Sequence, residues 1–442
     1  MSMQRKTNFI FILADDLGYA DLGCYGGRAP VSPCLDRMAD QGIRFTQGYA
    51  NSPVCSPTRF GLLSGRWQYR LRGAAEEPLT GAKSRQRPDL GMPPEHPTFA
   101  SLLQAAGWRT ALIGKWHLGY PPHFGPRKSG YDEHFGPYSG GVDYFNHQTM
   151  KGRHDLWHDD LPAHETGYLT DLLSERAIDF VQRSAQAQQP FLLSLHYTAP
   201  HWPWETREDE AVADTLGGDI QHAHGGSIHT YRRMIHHMDE GIGRLLDRLD
   251  SLGLAEDTLV VFTSDNGGER FSDNWPLIGG KMDLTEGGIR VPYIARWPRR
   301  IPAGSLSEQS VITMDWSRTF LDAAGVAEAP DYPMDGVSLM PLLTSPATVE
   351  LDRPLFWRMK YRDQHAMREG QWKYLRIEGI EYLFDLSADE RERANRALDE
   401  PARVQTMREA YQRWYDSLPP IPADADYDLV VTERDMPGAH LR

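Results

Sequence analysis

The stretch Cys55-Ser56-Pro57-Thr58-Arg59 sets a thiol, a proline and an arginine about one helical turn apart. Pro57 suits the first turn of a helix, Phe60, Leu62 and Leu63 supply a short apolar run, and Gly65 is placed to stop it. Cys55 then lies at the positive end of that helix, where free backbone N–H groups favour an anion, and Arg59 approaches the same anion. A tetrahedral sulfate or phosphate fits such a place. A cysteine alone here also reads as a small buried hydrophobe or as a thiolate activated by the helix terminus.

Further polar residues follow apolar runs. Asp15-Asp16 follow the run 8–13, Lys115-Trp116-His117 follow 110–113, Ala199-Pro200-His201 follow 191–197, and Asp265-Asn266-Gly267 follow 259–263. In an open parallel sheet the carboxyl ends of the strands share one edge, where ligands bind. Singly, each cluster has a plain explanation. Asp15-Asp16 reads as a helix cap, Asp265-Asn266-Gly267 as a turn, and a lone His117 or His201 as a hydrogen-bonded structural residue. Together they predict one site. Asp15, Asp16, Asp265 and Asn266 offer only oxygen ligands, which favour a hard cation such as Ca²⁺ or Mg²⁺ over zinc. One divalent ion beside the nucleophile would polarise it and neutralise a substrate oxygen.

The elements that must position these residues alternate. Apolar strand-like runs are interleaved with helical patterns: Ser32 as N-cap with Pro33 next and Gly42 as stop; Phe99, Leu102, Leu103 and Ala106; Leu173, Ala177, Phe180 and Val181; and Tyr231 through Leu249 on one face. This predicts an α/β fold, a large, mostly parallel central sheet flanked by helices. Loops at 73–97 and 120–168 break the rhythm, and loops of that length are usually functional or mobile. After about residue 350 the pattern becomes short antiparallel strands, 354–357, 364–368, 372–375 and 381–385, then a charged helix over 400–416. The chain therefore divides into a catalytic α/β domain, 1–350, and a smaller C-terminal α+β subdomain, 351–442, ending in a Pro- and Asp-rich arm.

The 442 residues suffice for a large core, and no apolar run reaches the roughly 18 residues of a membrane span. The N-terminal apolar segment runs straight into Asp15-Asp16 without a small-residue cleavage site, so it reads as a first strand rather than a secretory signal. Cys24, Cys34 and Cys55 form no disulfide framework, which fits a cytoplasmic location. The net charge of −14 repels nucleic acid, so an anionic substrate needs a locally positive pocket. Neither nucleic acid nor membrane is expected as a partner.

From about residue 6 to about residue 395 the chain resembles the type I sulfatases of the alkaline phosphatase superfamily. CSPTR (55–59) matches their C-x-P-x-R signature. It is joined by DDLG (15–18), GKWHLG (114–119), APHWPW (199–204), SDNGG (264–268), GGKMDLTEGGIRVP (279–292) and YLFDL (382–386). The resemblance implies an alkaline phosphatase-like fold and hydrolysis of sulfate monoesters. It implies that Cys55 is oxidised to Cα-formylglycine by a formylglycine-generating enzyme, whose signature CSPTR suits. Asp15, Asp16, Asp265 and Asn266 match the ligands of one divalent cation, most simply Ca²⁺ with Mg²⁺ or Mn²⁺ as alternatives, and the formylglycine at position 55 completes the shell. Arg59 would orient the aldehyde hydrate; Lys115, Lys281 and His201 would hold the sulfate; Lys281 or His201 would protonate the leaving oxygen; His117 would take the proton that lets sulfate leave. The substrate would be a small aryl, sugar or alkyl sulfate, and homo-oligomerisation stays open. The alternative with the same nucleophile is a phosphonate monoester or phosphodiester hydrolase. The contrasting reading is a non-enzymatic anion binder in which Cys55 remains a thiol. Cys34 departs from the family pattern. His147, His154, His158 and His164 in the long loop are candidates to read substrate or are exposed loop residues, and Trp202 and Trp204 read as an apolar wall for the leaving group or as core.

Overall fold

The computed structural model describes residues 6–71, 79, 85, 87–150, 152–222, 225–347, 349–423 and 425. Its central element is β1, Asn8–Ala14, buried throughout. Phe9, Phe11 and Leu13 enter the apolar core on one face, and Ile10, Ile12 and Ala14 the core on the other. A strand covered on both faces needs an apolar residue at every position, which is why its sequence shows no alternation.

Around it lie β2 (Ile43–Phe45), β3 (Arg109–Gly114), β4 (Glu133–Gly136), β5 (Trp157–His158), β6 (Leu161–Pro162), β7 (Phe191–His196), β8 (Thr258–Ser264), β9 (Tyr293–Arg296) and β10 (Ser305–Ser307). Among the described residues they form one ten-stranded sheet in the order β10-β2-β9-β8-β1-β7-β3-β4-β5-β6. The central five, β8-β1-β7-β3-β4, are parallel, and β9 and β5 flank them antiparallel. Because Leu13 pairs with His196, Ala14 with Ser264 and His196 with Gly114, four strands end level at one edge. Part of the region 120–168 is thus sheet edge rather than loop. Of the loop read at 73–97, residues 73–78, 80–84 and 86 lie outside the described residues, as do 1–5, 72, 424 and the terminal arm 426–442.

One face of the sheet carries α1 (Pro33–Asp40), α4 (Leu169–Gln186) and α5 (Ile228–Ser251), the other α2 (Cys55–Ser64), α3 (Phe99–Ala105) and α6 (Thr313–Ala324). Gly65 closes α2 with φ 66°, the left-handed conformation that glycine adopts freely. Ser32 is the N-cap residue of α1 and Pro33 its first residue, as expected, but the capping bond and the stop differ from expectation. The Ser32 hydroxyl makes no cap bond; the Asp239 carboxylate of α5 caps α1 instead, accepting from Cys34 N (2.9 Å) and Leu35 N (2.8 Å). Gly42 is not the helix stop, which is Gln41; a Cβ on Gly42 would lie 2.0 Å from the Ala295 carbonyl, so the glycine permits β2 to approach β9.

The strands β11 (Leu355–Met359), β12 (Gln364–Glu369), β13 (Trp372–Ile377) and β14 (Ile380–Asp385) form a separate antiparallel sheet in chain order. Helix α7 (Pro401–Asp416) covers it through Val404, Met407, Tyr411 and Trp414. The same apolar cluster includes Tyr49, Met282, Leu284 and Ile289, so this sheet packs directly on the segment after Lys281. Among the described residues no helix is long and apolar enough to cross a membrane.

Candidate active site

The level strand ends bring the sequence clusters together. Asp15 N bonds Ala199 O (3.1 Å), Lys115 N bonds His196 O (2.8 Å) and Asp265 N bonds Ala14 O (3.1 Å), stitching the segments side by side. Asp16 (φ 63°) and His117 (φ 58°) take left-handed conformations just past β1 and β3, a conformation that aspartate and histidine adopt more often than most residues. Helix α2 delivers Cys55 to the same point. Its Sγ donates to Asp15 Oδ1 at 3.3 Å and lies 3.9 Å from Asp16 Oδ1.

Ligand atoms of Asp15, Asp16, Cys55 and Asp265 all lie within 4.8 Å of one another, and all four residues are buried. Cations surround them. Lys115 Nζ is 2.5 Å from Asp15 Oδ2, Lys281 Nζ 2.7 Å from Asp16 Oδ2, and Arg59 Nη2 2.7 Å from Asp265 Oδ2. Arg59 also donates through Nη1 to Lys115 O at 3.0 Å, which locks helix α2 to β3 and β8. Three aspartates thus face three cationic side chains. A divalent ion would make this pocket positive inside a protein of charge −14.

The donor set fits such an ion. Asn266 Nδ2 donates to Asp16 Oδ1 (2.7 Å) and Gly267 O (2.9 Å), which fixes the amide orientation. Its Oδ1 is buried with no hydrogen-bond partner among the described residues. A buried acceptor left unsatisfied costs about 1–3 kcal/mol, and cation coordination removes that cost. Three carboxylates and an amide oxygen make a hard-cation set.

The electrostatics follow from burial and these neighbours. Burial alone would raise Asp16, but Lys281, His201 and Lys115 bring it down to about 2. Asp265 moves the other way, to about 7, through burial and the Asp15 charge against Arg59. Burial, Asp15 and Asp265 push the Cys55 thiol well above its ordinary value, the direction opposite to thiolate activation. Burial and the nearby cations Lys115 and Arg59 hold His117 well below its ordinary value. Burial and Lys281 bring His201 to about 3 despite Asp16.

The two imidazoles are oriented by carbonyls. His117 Nε2 meets Leu79 O at 2.8 Å and must donate there, leaving Nδ1, which has no partner among the described residues, as a free acceptor. His201 Nδ1 donates to Trp202 O at 2.7 Å, leaving Nε2 3.6 Å from Asp16 Oδ2. A Cβ at Gly140 would lie 2.3 Å from the His117 ring, and one at Gly141 3.3 Å from His201, so this glycine pair seats both rings.

All the residues singled out around the strand ends, Asp15, Asp16, Cys55, Arg59, Lys115, His117, His201, Asp265, Asn266 and Lys281, are buried there. Sequence reasoning missed Glu269, 3.6 Å from Lys281 Nζ, and His196, 3.4 Å from Arg59 Nη1. His196 ends β7, which was the available signal; Glu269 lies five residues beyond β8 and had none. The long-loop histidines have other partners. His147 is buried and brought to about 4 by burial and His154, and His154 stacks on His164 and bonds Ala163 O. Trp204 is core, packed on Phe271, while Trp202 lies against His201 with ring centroids 4.1 Å apart.

A mostly parallel sheet that gathers a buried nucleophile position, hard-cation ligands and lysines at its carboxyl edge defines an alkaline phosphatase-like hydrolase of anionic esters. Residues 7–326 match the Sulfatase family and residues 280–414 the family described as N-sulphoglucosamine sulphohydrolase, C-terminal. The N-acetylgalactosamine-6-sulfatase of Canis lupus familiaris is 35% identical over 394 residues, 84% of this chain and 71% of the relative. The steryl-sulfatase of Homo sapiens is 31% identical over 425 residues, covering 76% and 70%. The crystal structure of Ps i-CgsB in complex with k-i-k-neocarrahexaose superposes with a TM-score of 0.84 at 31% identity over 92% of each chain. The chain belongs to the sulfatase family and is a sulfuric ester hydrolase acting on sulfate esters. The phosphonate monoester hydrolase of Agrobacterium radiobacter, at 19% identity and TM-score 0.65 over 93% of this chain and 96% of that one, shares the fold.

Proposed function

We propose that this sulfatase works through a formylglycine made from Cys55 and one divalent cation, and that its substrate is a sulfate ester on a saccharide. The observation that carries the mechanism is the buried Cys55 side chain inside a ring of Asp15, Asp16, Asp265 and the unsatisfied Asn266 oxygen. Oxidised to the aldehyde and hydrated, position 55 offers one hydroxyl for attack on sulfur and a second through which sulfate can later be expelled. The cation, held by Asp15, Asp16, Asp265 and Asn266, supplies Lewis-acid polarisation of a substrate oxygen.

The chain's own residues do the rest. Arg59 opposes the upward shift of Asp265 and holds it in place through its 2.7 Å pair. Lys115, beside Asp15, and Lys281, beside Asp16, bind the sulfate oxygens and stabilise charge that grows in the transition state. Lys281, kept protonated by Asp16, donates the proton to the leaving oxygen; His201, the alternative donor, is brought to about 3 with its one N–H on Trp202 O. His117 accepts a proton at Nδ1 for release of sulfate. Calcium is the preferred ion, with magnesium and manganese as alternatives, and conversion of Cys55 is assigned to a separate formylglycine-generating enzyme.

The His117 assignment has a pH signature. A depressed imidazole stays neutral, and so stays a base, as pH falls through the ordinary value of 6.5. The limiting rate kcat is therefore expected to hold through pH 6.5 and to fall only well below it. A kcat that halves at pH 6.5 contradicts the assignment.

The saccharide reading is supported by the names of two relatives, one with N-acetylgalactosamine and one bound to a neocarrahexaose. It is also supported by a cleft of about 330 Å³ that opens beside Lys281. Glu269, Asp283, Tyr361 and Arg362 line it, a set of hydrogen-bonding groups suited to sugar hydroxyls. Comparison of kcat/KM for N-acetylgalactosamine 6-sulfate, a steroid sulfate and an aryl sulfate tests it. The sugar ester is expected to lead by at least about tenfold. A steroid or aryl ester in the lead overturns the saccharide reading.

A further inference from the structure

Lys281 sits on a turn that cannot hold its shape alone. The next residue, Met282, is buried and has φ 76°, a left-handed conformation that a long unbranched side chain disfavours. Such a conformation persists only where the surroundings impose it. On one side Met282 N donates to Pro53 O at 3.0 Å, two residues ahead of Cys55. On the other side stands a residue of the C-terminal sheet, Gln364, at the start of β12 and fully buried. Its Nε2 donates to Met282 O (2.8 Å) and to Tyr361 O (3.0 Å), and its Oε1 accepts from Leu284 N (2.8 Å). A carbonyl only accepts and a backbone N–H only donates, so the amide has one orientation that satisfies all three partners.

We infer that Gln364 is a positioning residue for the sulfatase reaction: it clamps the Met282–Leu284 backbone so that Lys281 Nζ is aimed at the Asp16 side of the pocket. The C-terminal sheet thereby completes the anion site without touching the substrate there. Neighbouring contacts run the same way. Lys373 of β13, fully buried, pairs with Glu286 (3.0 Å) and Glu392 (2.8 Å), and Glu286 N donates to Glu392 at 2.6 Å, which anchors the far end of the same segment. Gln364 differs from these in gripping the turn itself, one and three residues from the lysine. Small misplacement of a catalytic group is costly because the reacting geometry is narrow.

This inference rests on Lys281 being a sulfate-binding group, and a double-mutant cycle separates the two. Gln364→Met keeps the volume and removes every hydrogen bond. It is expected to lower kcat/KM by about ten- to a hundredfold and to raise the inhibition constant for inorganic sulfate in step. In a Lys281→Ala background the same change is expected to cost less than about twofold, because its effect passes through the lysine. Gln364→Glu, which keeps the acceptor for Leu284 N but sets a carboxylate against two carbonyls, runs the same cycle should Gln364→Met fail to fold. A folded Gln364 variant with undiminished kcat/KM, or one that loses the same factor with and without Lys281, overturns the inference. Lys281→Ala with undiminished activity would instead remove the reading of Lys281 on which it stands.

Discussion

Cys55→Ala is expected to yield a folded protein that does not turn over sulfate esters. The fold should tolerate the change. Cys55 is 3% exposed, but the loss is one sulfur atom at a helix start, and its hydrogen bond is a weak one to Asp15. Large-to-small substitutions in cores become severe only when they leave large cavities. The chemistry should not tolerate it. Lysines, arginine and aspartates would remain, yet none can form and then release a bond to sulfur at this position. Loss of a covalent nucleophile in hydrolases costs on the order of 10⁶-fold in kcat, so a fall of at least about 10⁴-fold is expected against the best substrate. Circular dichroism and thermal melting establish that the sample is folded. Near-normal turnover in that sample would remove position 55 from the mechanism.

The second large effect is that of the cation. Removing it with a chelator is expected to abolish turnover reversibly, and adding back Ca²⁺, Mg²⁺ or Mn²⁺ should restore it and rank the ions. The melting temperature should move with activity. An ion at a hundredfold excess over its dissociation constant adds about 2.7 kcal/mol to the folded state, and chelation withdraws that. The sign follows from the site: without the ion, Asp15, Asp16 and Asp265 remain crowded within 4.8 Å in a buried place. Asn266→Ala, which deletes the unsatisfied oxygen, is expected to raise the ion concentration needed for half-maximal activity by at least about tenfold. An ion requirement unchanged in Asn266→Ala would take that oxygen out of the ligand set. Full activity in exhaustively chelated protein would remove the cation altogether.

Much of this site was legible because a parallel sheet converts sequence order into place. Each buried strand is a continuous apolar run, and the residue after it must emerge at one edge. Asp15, Lys115, His201 and Asp265 could therefore be grouped before any coordinates, and their grouping depends on register alone. Arg59 was read as approaching the anion and orienting the aldehyde hydrate, and sequence did not show that its guanidinium also meets Asp265 and the Lys115 carbonyl. A one-turn spacing shows which helix an arginine lies on, and not which carboxylate meets it from another strand.

The parts that stayed hidden depend on partners remote in sequence. The Ser-Pro pair marked the start of α1 correctly, yet the cap bonds come from Asp239, remote in sequence. Strand β9 is four residues long and follows Pro292, too short for periodicity to reveal. Glu269 and Gln364 carry no local signature, because each acts through a segment brought to it by tertiary packing. The C-terminal strands themselves were legible as short antiparallel runs, yet nothing local indicated that Gln364 at the head of one would reach the turn beside Lys281.

The central claim is that position 55 is an aldehyde in the working enzyme. Mass spectrometry of the peptide spanning Cys55, measured on preparations whose specific activity differs, tests it directly. The account predicts a peptide carrying the aldehyde in place of the thiol, with a fraction that rises in proportion to specific activity. Full activity in protein whose Cys55 is entirely thiol contradicts it.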